Sequence, residues 1–138
     1  MRGRPRRDDS GSVALEFTLV APVLLLLVAL LLAYARVAQV SATLDAGVRD
    51  AARTATQSRS ADDARRRSGE VVRTAVGPGD CADSVVVDPV ERFVPGVAVT
   101  VSARCTYSLA DLGLPGFPGS VTVRSTFSSP LDPNREVS

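Results

Sequence analysis

The stretch GSVALEFTLVAPVLLLLVALLLAYA, residues 11–35, decides how the rest of the chain is organised. From Phe17 to Ala35 it contains no charged residue. A helix of this length rises about 28 Å, close to the roughly 30 Å hydrocarbon thickness of a bilayer. The pattern therefore predicts a membrane span over about residues 14–35. Pro22 removes one backbone donor inside it, and an acidic residue, Glu16, lies near its start.

The composition limits both size and chemistry. The chain has 138 residues, of which 45% are hydrophobic, and a net charge of +1. Outside the span, about one hundred residues remain, which is enough for one small domain. With no His, one Met and two Cys, most metal sites and His-based catalysis are excluded. We therefore expect no cofactor, no metal and no enzymatic activity, and the near-neutral charge gives no reason to expect a nucleic-acid partner.

The first 11 residues, MRGRPRRDDSG, form a short polar leader with four Arg directly before the span. Basic residues next to a first span keep their side of it in the cytoplasm. This predicts a single-pass protein of the cell membrane with a cytoplasmic N-terminus and an extracytoplasmic C-terminal domain. A secretory signal peptide is the alternative, because Ala33-Tyr-Ala35 loosely fits a cleavage site. The apolar run is longer than the usual signal-peptide core, which favours the span.

Helical periodicity continues beyond the span. Apolar residues recur at steps of three and four as far as Ala55, so the first helix is predicted to extend to about Gln57. Ser60, followed by Asp62 and Asp63, is typical of a helix start. The second helix is predicted to end at Gly77-Pro-Gly79. Its expected inner face consists of Ala61, Ala64, Ser68, Val71, Val72 and Ala75, with the basic run Arg65-Arg66-Arg67 on a solvated face of mixed charge.

The C-terminal half has a period of two, which is typical of strands. Three strands are predicted, over Ser84–Asp88, Gly96–Leu109 and Val121–Phe127, with the turn-rich loop Asp111–Gly119 before the third. The two helices would cover the apolar face of this antiparallel sheet. The fold class is therefore α+β. Residues 58–128 form a small extracytoplasmic domain, and 129–138 form a flexible tail.

Both cysteines, Cys81 and Cys105, lie in the part of the chain that is predicted to be exported. Small exported domains often depend on a disulfide, so we expect these two residues to pair. Two unpaired, buried thiols are the alternative.

The residues around Glu16 together form a sequence signal that is more specific than any one of them alone. A basic leader is followed by Gly11, by Glu16 five residues later, by the aromatic Phe17 and then by an unbroken apolar run. This arrangement resembles the signal of type IV pilins. More narrowly, residues 9–56 resemble the TadE-like family of Flp/Tad pilus pseudopilins, in the segment 11–26 and in the Ala-rich segment 44–53.

The resemblance implies a pilin-like fold and a role in assembly without catalysis. A prepilin peptidase would cut between Gly11 and Ser12, leaving residues 12–57 as the transmembrane and assembly helix. The new Ser12 amine would then pair with Glu16 of a neighbouring subunit. The implied partners are other pilin or pseudopilin subunits, the prepilin peptidase, the Tad assembly machinery and the lipid bilayer. Two positions depart from common patterns: many type IV pilins have Phe where this chain has Ser12, and the Tad signal often has Tyr where it has Phe17.

Three other functions are compatible with the sequence. The first is a single-pass membrane protein with a small extracellular binding domain, which would not be trimmed at Gly11. The second is an exported enzyme with a signal anchor, which is disfavoured because the acidic residues form no convergent pair. The third is a pseudopilin of a type II secretion system, which the sequence does not distinguish from a pilus subunit.

Overall fold

A computed structural model describes residues 10–79, 81–108, 119–134 and 136, with side chains from residue 15 onward. Within these residues the elements follow the order α1 (Ser10–Gln57), α2 (Ala61–Val76), β1 (Val86–Val87), β2 (Ala98–Ser108) and β3 (Ser120–Pro130). The predicted α+β layout of two helices and a three-stranded antiparallel sheet is confirmed. Most of the predicted leader and of the turn-rich loop Asp111–Gly119 lies outside the described residues.

Helix α1 is 48 residues long, which corresponds to about 72 Å at 1.5 Å per residue. It is continuous through Pro22, although this residue has no N–H to donate. The helix has two different environments. Its N-terminal half is exposed, whereas its C-terminal half buries Leu44, Val48 and Ala51 in the core. The predicted end of the helix at Gln57 is confirmed.

Helix α2 begins and ends where its capping residues predict. Ser60 has extended backbone angles, and its Oγ accepts a hydrogen bond from the Asp63 N–H at 3.3 Å. Gly77 ends the helix with a positive φ of 62° and donates its N–H to the Arg73 carbonyl at 3.0 Å. The helix packs against α1 through Ala64, Ser68, Gly69 and Val72. Ala75, which was predicted to face inward, does lie beside Gly47 of α1, but its side chain remains exposed.

The sheet has the order β1-β2-β3, with both pairs antiparallel. Strands β2 and β3 pair over their full length, from Ala98 opposite Pro130 to Ser108 opposite Ser120. Strand β1 is only two residues long, whereas Ser84–Asp88 was predicted to be a strand. A turn over residues 81–84 precedes β1, and the Val85 N–H donates to the Cys81 carbonyl at 2.9 Å instead of to a neighbouring strand.

The core lies between the C-terminal half of α1 and the inner face of the sheet. Along β2, the alternation predicted from the sequence holds from Val99 to Tyr107, and each inward side chain is buried. Along β3, Val123 and Ser125 are buried, and Phe127 is half-buried on the same face. The inner face of the sheet is covered mainly by α1, and the prediction that both helices cover it is wrong for α2, which packs on α1. The outer face of the two long strands carries polar residues.

Residues 129–131, which were predicted to belong to a flexible tail, are part of the folded domain. Strand β3 extends to Pro130, and the side chain of Leu131 is only 2% exposed. Leu131 also exchanges backbone hydrogen bonds with the chain before β2: its N–H donates to the Val97 carbonyl at 3.2 Å, and its carbonyl accepts from the Gly96 N–H at 3.1 Å. A single apolar residue and two backbone hydrogen bonds thus fix the first part of this segment.

Candidate membrane and assembly helix

The N-terminal half of α1 presents a continuous apolar surface to the exterior. Thirteen large apolar side chains between residues 15 and 32 are each between 49% and 72% exposed. They are Leu15, Phe17, Leu19, Val20, Val23, Leu24, Leu25, Leu26, Leu27, Val28, Leu30, Leu31 and Leu32. A helix that is apolar around its whole circumference, with no protein packed on it, is not stable in water as a monomer.

This segment has the length and composition of a membrane span. Its most apolar window of 18 residues has a mean hydropathy of 2.6, and none of that window is buried. Eighteen helical residues rise about 27 Å, which nearly matches a bilayer core. Tyr34, which is 74% exposed, and Arg36 follow at the end of the segment, where aromatic and basic residues commonly mark a membrane interface. The helix is therefore a candidate membrane anchor.

Glu16 lies at the other end of this apolar surface. Its side chain is exposed, and it is followed directly by Phe17, which is 72% exposed. Within the described part of the chain, no basic side chain lies within ion-pair distance of Glu16. A carboxylate at the edge of a bilayer is costly unless it is hydrated, neutralised or paired with a cation. The geometry thus leaves Glu16 available to a cation on another molecule.

The predicted cleavage position lies one helical turn before Glu16. Helix α1 begins at Ser10, so the peptide bond between Gly11 and Ser12 belongs to its first turn. The side chains of residues 10–14 are outside the described part of the chain. Glu16 and Ser12 are four residues apart in a helix, so they project from the same side of α1.

The two cysteines form a bridge between the turn after α2 and the middle of β2. Cys81 and Cys105 are joined in a disulfide with their Cα atoms 5.5 Å apart, within the usual range for such a bond. Both are buried. The Ser84 hydroxyl lies 3.6 Å from Sγ of Cys105 and accepts a hydrogen bond from the Thr106 N–H at 3.2 Å. A structural disulfide is typical of a domain that folds outside the cytoplasm.

The basic run on α2 forms the mixed surface predicted from the sequence. Arg65 contacts Asp62 at 3.1 Å, and Arg67 contacts Asp63 at 2.9 Å. Arg66 pairs with Asp63 and with Glu70. These intrahelical pairs are largely exposed, so they contribute little to stability, and they leave no concentrated patch of positive charge.

Several contacts that hold the two helices in the domain were not predicted from the sequence. The Arg49 guanidinium lies over the ring of Phe127, 5.4 Å from its centroid, and thereby links α1 to β3. Arg65 also donates from Nε to the Val90 carbonyl at 3.2 Å. Gly47 is buried where α1 and α2 meet. Because it lies between Leu44 and Val48 in the apolar stripe, its burial could have been predicted from the sequence. Among the described residues there is no group of His, Cys, Asp or Glu arranged to hold a metal ion.

Comparison with known proteins supports the interpretation of α1. Residues 11–53 match the family model described as TadE-like protein, which covers about a third of the chain and coincides with most of α1. The predicted resemblance is therefore confirmed for this segment. Neither the curated proteins nor the solved structures include one that is significantly similar to this chain.

Proposed function

We propose, from the TadE-like helix at residues 11–53, that this chain is a minor pilin or pseudopilin of a Tad pilus assembly system. It is a structural subunit that acts by assembly through its N-terminal helix. The observation that carries this proposal is the position of Glu16, which is exposed, has no described partner and lies at the start of a fully exposed apolar helix.

In this proposal a prepilin peptidase cuts between Gly11 and Ser12. The cut removes the leader and creates a positively charged amine on Ser12, one helical turn from Glu16. The amine of one subunit then pairs with Glu16 of the next, and Phe17 packs beside this pair. Such a pair discriminates between a correct and an incorrect stagger of neighbouring helices, because any other stagger leaves two desolvated charges without partners.

The apolar surface supplies the remaining interaction. In the membrane it contacts lipid, and in an assembled pilus the same side chains pack against the helices of other subunits. The four leader arginines favour a cytoplasmic N-terminus, which places the disulfide-bonded domain outside the membrane. The proposed partners are therefore other pilin subunits, the peptidase and the assembly machinery in the membrane.

The mature N-terminus provides the test. The chain is expressed with and without an active prepilin peptidase, and the intact mass of the membrane-bound protein is measured. We expect a chain that begins at Ser12 only when the peptidase is active. Gly11→Val should block the cut, because a glycine allows the close backbone approach that a peptidase needs. Gly3→Val, which changes another leader glycine, is the matched control and should leave processing unchanged.

A leader that remains intact in the presence of active peptidase contradicts the proposal and favours a generic membrane anchor. A pseudopilin of a type II secretion system is processed in the same way, so trimming does not separate it from a pilus subunit. The two are separated by whether the trimmed chain co-purifies with sheared Tad pili.

A further inference from the structure

The outer face of the two long strands is covered by short hydroxyl side chains. Along β2 these outward positions are Thr100, Ser102, Arg104 and Thr106, and along β3 they are Thr122, Arg124, Thr126 and Ser128. All eight are exposed or half-buried. No apolar or aromatic side chain interrupts this set between residues 100 and 106 or between 122 and 128.

Three of the four cross-strand pairs on this face are hydroxyl pairs joined by hydrogen bonds. Thr100 and Ser128 are 2.8 Å apart, Ser102 and Thr126 are 3.0 Å apart, and Thr106 and Thr122 are 2.8 Å apart. Each hydroxyl can donate one hydrogen bond and accept two, so each pair retains capacity for a ligand. The face is thus a regular array of donors and acceptors.

The fourth pair consists of two arginines, Arg104 and Arg124, directly opposite each other. Like charges in this arrangement repel. Asp88 contacts Nη1 of Arg104 at 3.2 Å, but no described carboxylate lies within ion-pair distance of Arg124. The repulsion is therefore only partly compensated, and the pair has an uncompensated positive charge.

The two arginines line a common cavity that opens to solvent. Its volume is about 190 Å³, and Asp88, Ser102 and Thr126 also line it. A larger groove of about 630 Å³ shares Asp88 and Ser102 with this cavity and extends along β2 towards Thr100. Its charged lining residues are two carboxylates, Asp88 and Glu91, and Arg92, so the excess of positive charge lies at the arginine pair and not in this groove. The groove exists because β1 is only two residues long, so the segment after it leaves the sheet.

We infer that this face binds an acidic polysaccharide. A uronate carboxylate would lie between Arg104 and Arg124, where a planar guanidinium can donate two parallel hydrogen bonds to it. The sugar hydroxyls on either side would exchange hydrogen bonds with the Ser and Thr side chains. Further sugar units of an extended chain would follow the hydroxyl pairs along the two strands, away from the Asp88 and Glu91 carboxylates of the larger groove.

The chemistry of the face favours a polysaccharide over other polymers. A stable protein interface needs several buried aromatic or aliphatic anchors at its centre. The outward positions of β2 and β3 provide none, and Val86 of β1, which pairs with Arg104 and is 43% exposed, is a single apolar side chain beside them. Single-stranded nucleic acid needs aromatic side chains on which bases stack, and these are also absent from the described part of the face. A hydroxyl-rich anion uses both the hydrogen-bonding array and the charge.

The test uses the full chain in detergent micelles and immobilised polygalacturonate, with dextran as the neutral polysaccharide and polyglutamate as the acidic polypeptide. We expect binding to polygalacturonate alone, and weaker binding in about 0.5 M salt because the contact is between charges. Arg124→Gln should weaken binding about tenfold, the value expected for a charged hydrogen bond. Arg59→Gln removes the same charge from the α1–α2 connection and should leave binding unchanged.

The Arg124→Gln variant is expected to fold, because the residue is exposed and faces a like charge. Its unfolding midpoint in urea, compared with that of the unchanged chain, verifies this. Three results would each overturn the inference: equal binding of Arg124→Gln and the unchanged chain, equally tight binding of polyglutamate, or no binding of polygalacturonate at low salt. None of these results bears on trimming at Gly11, so this inference and the pilin proposal fail independently.

Discussion

At the scale of single residues, substitution of Glu16 distinguishes an assembly role of this residue from simple membrane anchoring. Removing its carboxylate makes the apolar segment more hydrophobic, so membrane insertion should not suffer in either case. If the carboxylate only interacts with the helix dipole, its loss changes stability by a few tenths of a kcal/mol. If it pairs with the amine of a neighbouring subunit, its loss leaves that amine desolvated without a partner.

We therefore expect Glu16→Ala to be inserted and trimmed but absent from sheared pili. Glu16→Gln should behave in the same way, since an amide accepts a hydrogen bond but does not neutralise the amine. Glu70→Ala is the control, because it removes a carboxylate from an exposed surface pair on α2. Quantitative immunoblotting of the pilus and membrane fractions measures the outcome. Incorporation of Glu16→Ala at the level of the unchanged chain would refute the assembly role of this residue.

A second residue, Gly47, sets how closely α1 and α2 approach. A Cβ atom added at this position would lie 2.8 Å from the Cβ of Ala75, closer than two carbon atoms can remain without movement of a helix. Alanine is the better helix former by about 1 kcal/mol, but overpacking costs about 1–3 kcal/mol. The clash should therefore prevail, and Gly47→Ala should destabilise the domain.

The exchange of the two residues tests this explanation. Gly47→Ala alone should lower the free energy of unfolding by about 1–2 kcal/mol, while the double variant Gly47→Ala/Ala75→Gly moves one methyl group across the contact and should recover most of the loss. Gly79→Ala is the control, since no heavy atom lies within 4 Å of its added Cβ. Urea unfolding of the detergent-solubilised chain, followed by near-ultraviolet circular dichroism, gives these values. If the free energy of unfolding lost in the double variant equals the sum of the losses in the two single variants, the contact between residues 47 and 75 does not limit helix packing.

At the scale of elements, the disulfide connects the end of the helical pair to the sheet. Cys81 and Cys105 are 24 residues apart in sequence, and closing such a loop is worth about 3 kcal/mol in the chain-entropy model. We expect the double variant Cys81→Ser/Cys105→Ser to lose about this amount. Non-reducing peptide mapping of the exported protein should recover the two cysteines in one linked fragment. Recovery of two free thiols would exclude the bridge.

The elements that the sequence predicted well are those whose signals are local. The capping by Ser60 and Gly77 fixed both ends of α2, and the period of two gave the buried face of β2. The length of β1 was not predictable in this way, because the turn at residues 81–84 competes with strand pairing for the same backbone groups. Leu131 was also missed, since one apolar residue in a polar segment has no periodicity.

The candidate assembly site and the polar face of the sheet could be predicted only in part. The positions of Glu16 and Phe17 relative to the apolar run follow from the sequence alone. The cation–π contact of Arg49 with Phe127 depends on how the helix crosses the sheet, which no local pattern specifies. The Arg104–Arg124 pair likewise depends on the register of β2 and β3, which no local pattern specifies.

At the scale of the whole molecule, a fully exposed apolar half-helix is joined without interruption to a helix buried in a small domain. The candidate membrane segment and the helix buried in the core thus belong to one continuous helix, Ser10–Gln57. This arrangement is compatible both with a retained anchor and with a cleaved signal peptide. A cut after Ala35 would release a domain that keeps Leu44, Val48 and its other buried helix residues and would therefore remain folded in solution.

Carbonate extraction and proteolysis distinguish a retained anchor from a cleaved signal peptide, and an exported domain from a cytoplasmic one. If the segment is a retained anchor, the chain should stay in the membrane pellet after alkaline carbonate extraction, and trypsin added to spheroplasts should cleave after exposed arginines of the domain, such as Arg59. The fragment that contains the span should remain in the pellet, while a cytoplasmic marker protein stays intact. If the segment is a cleaved signal peptide, carbonate should release the whole domain, with a mass that begins after Ala35. If the domain is instead cytoplasmic, trypsin should cut it only after the spheroplasts are lysed, which would reverse the proposed orientation and remove the oxidising compartment on which the disulfide depends.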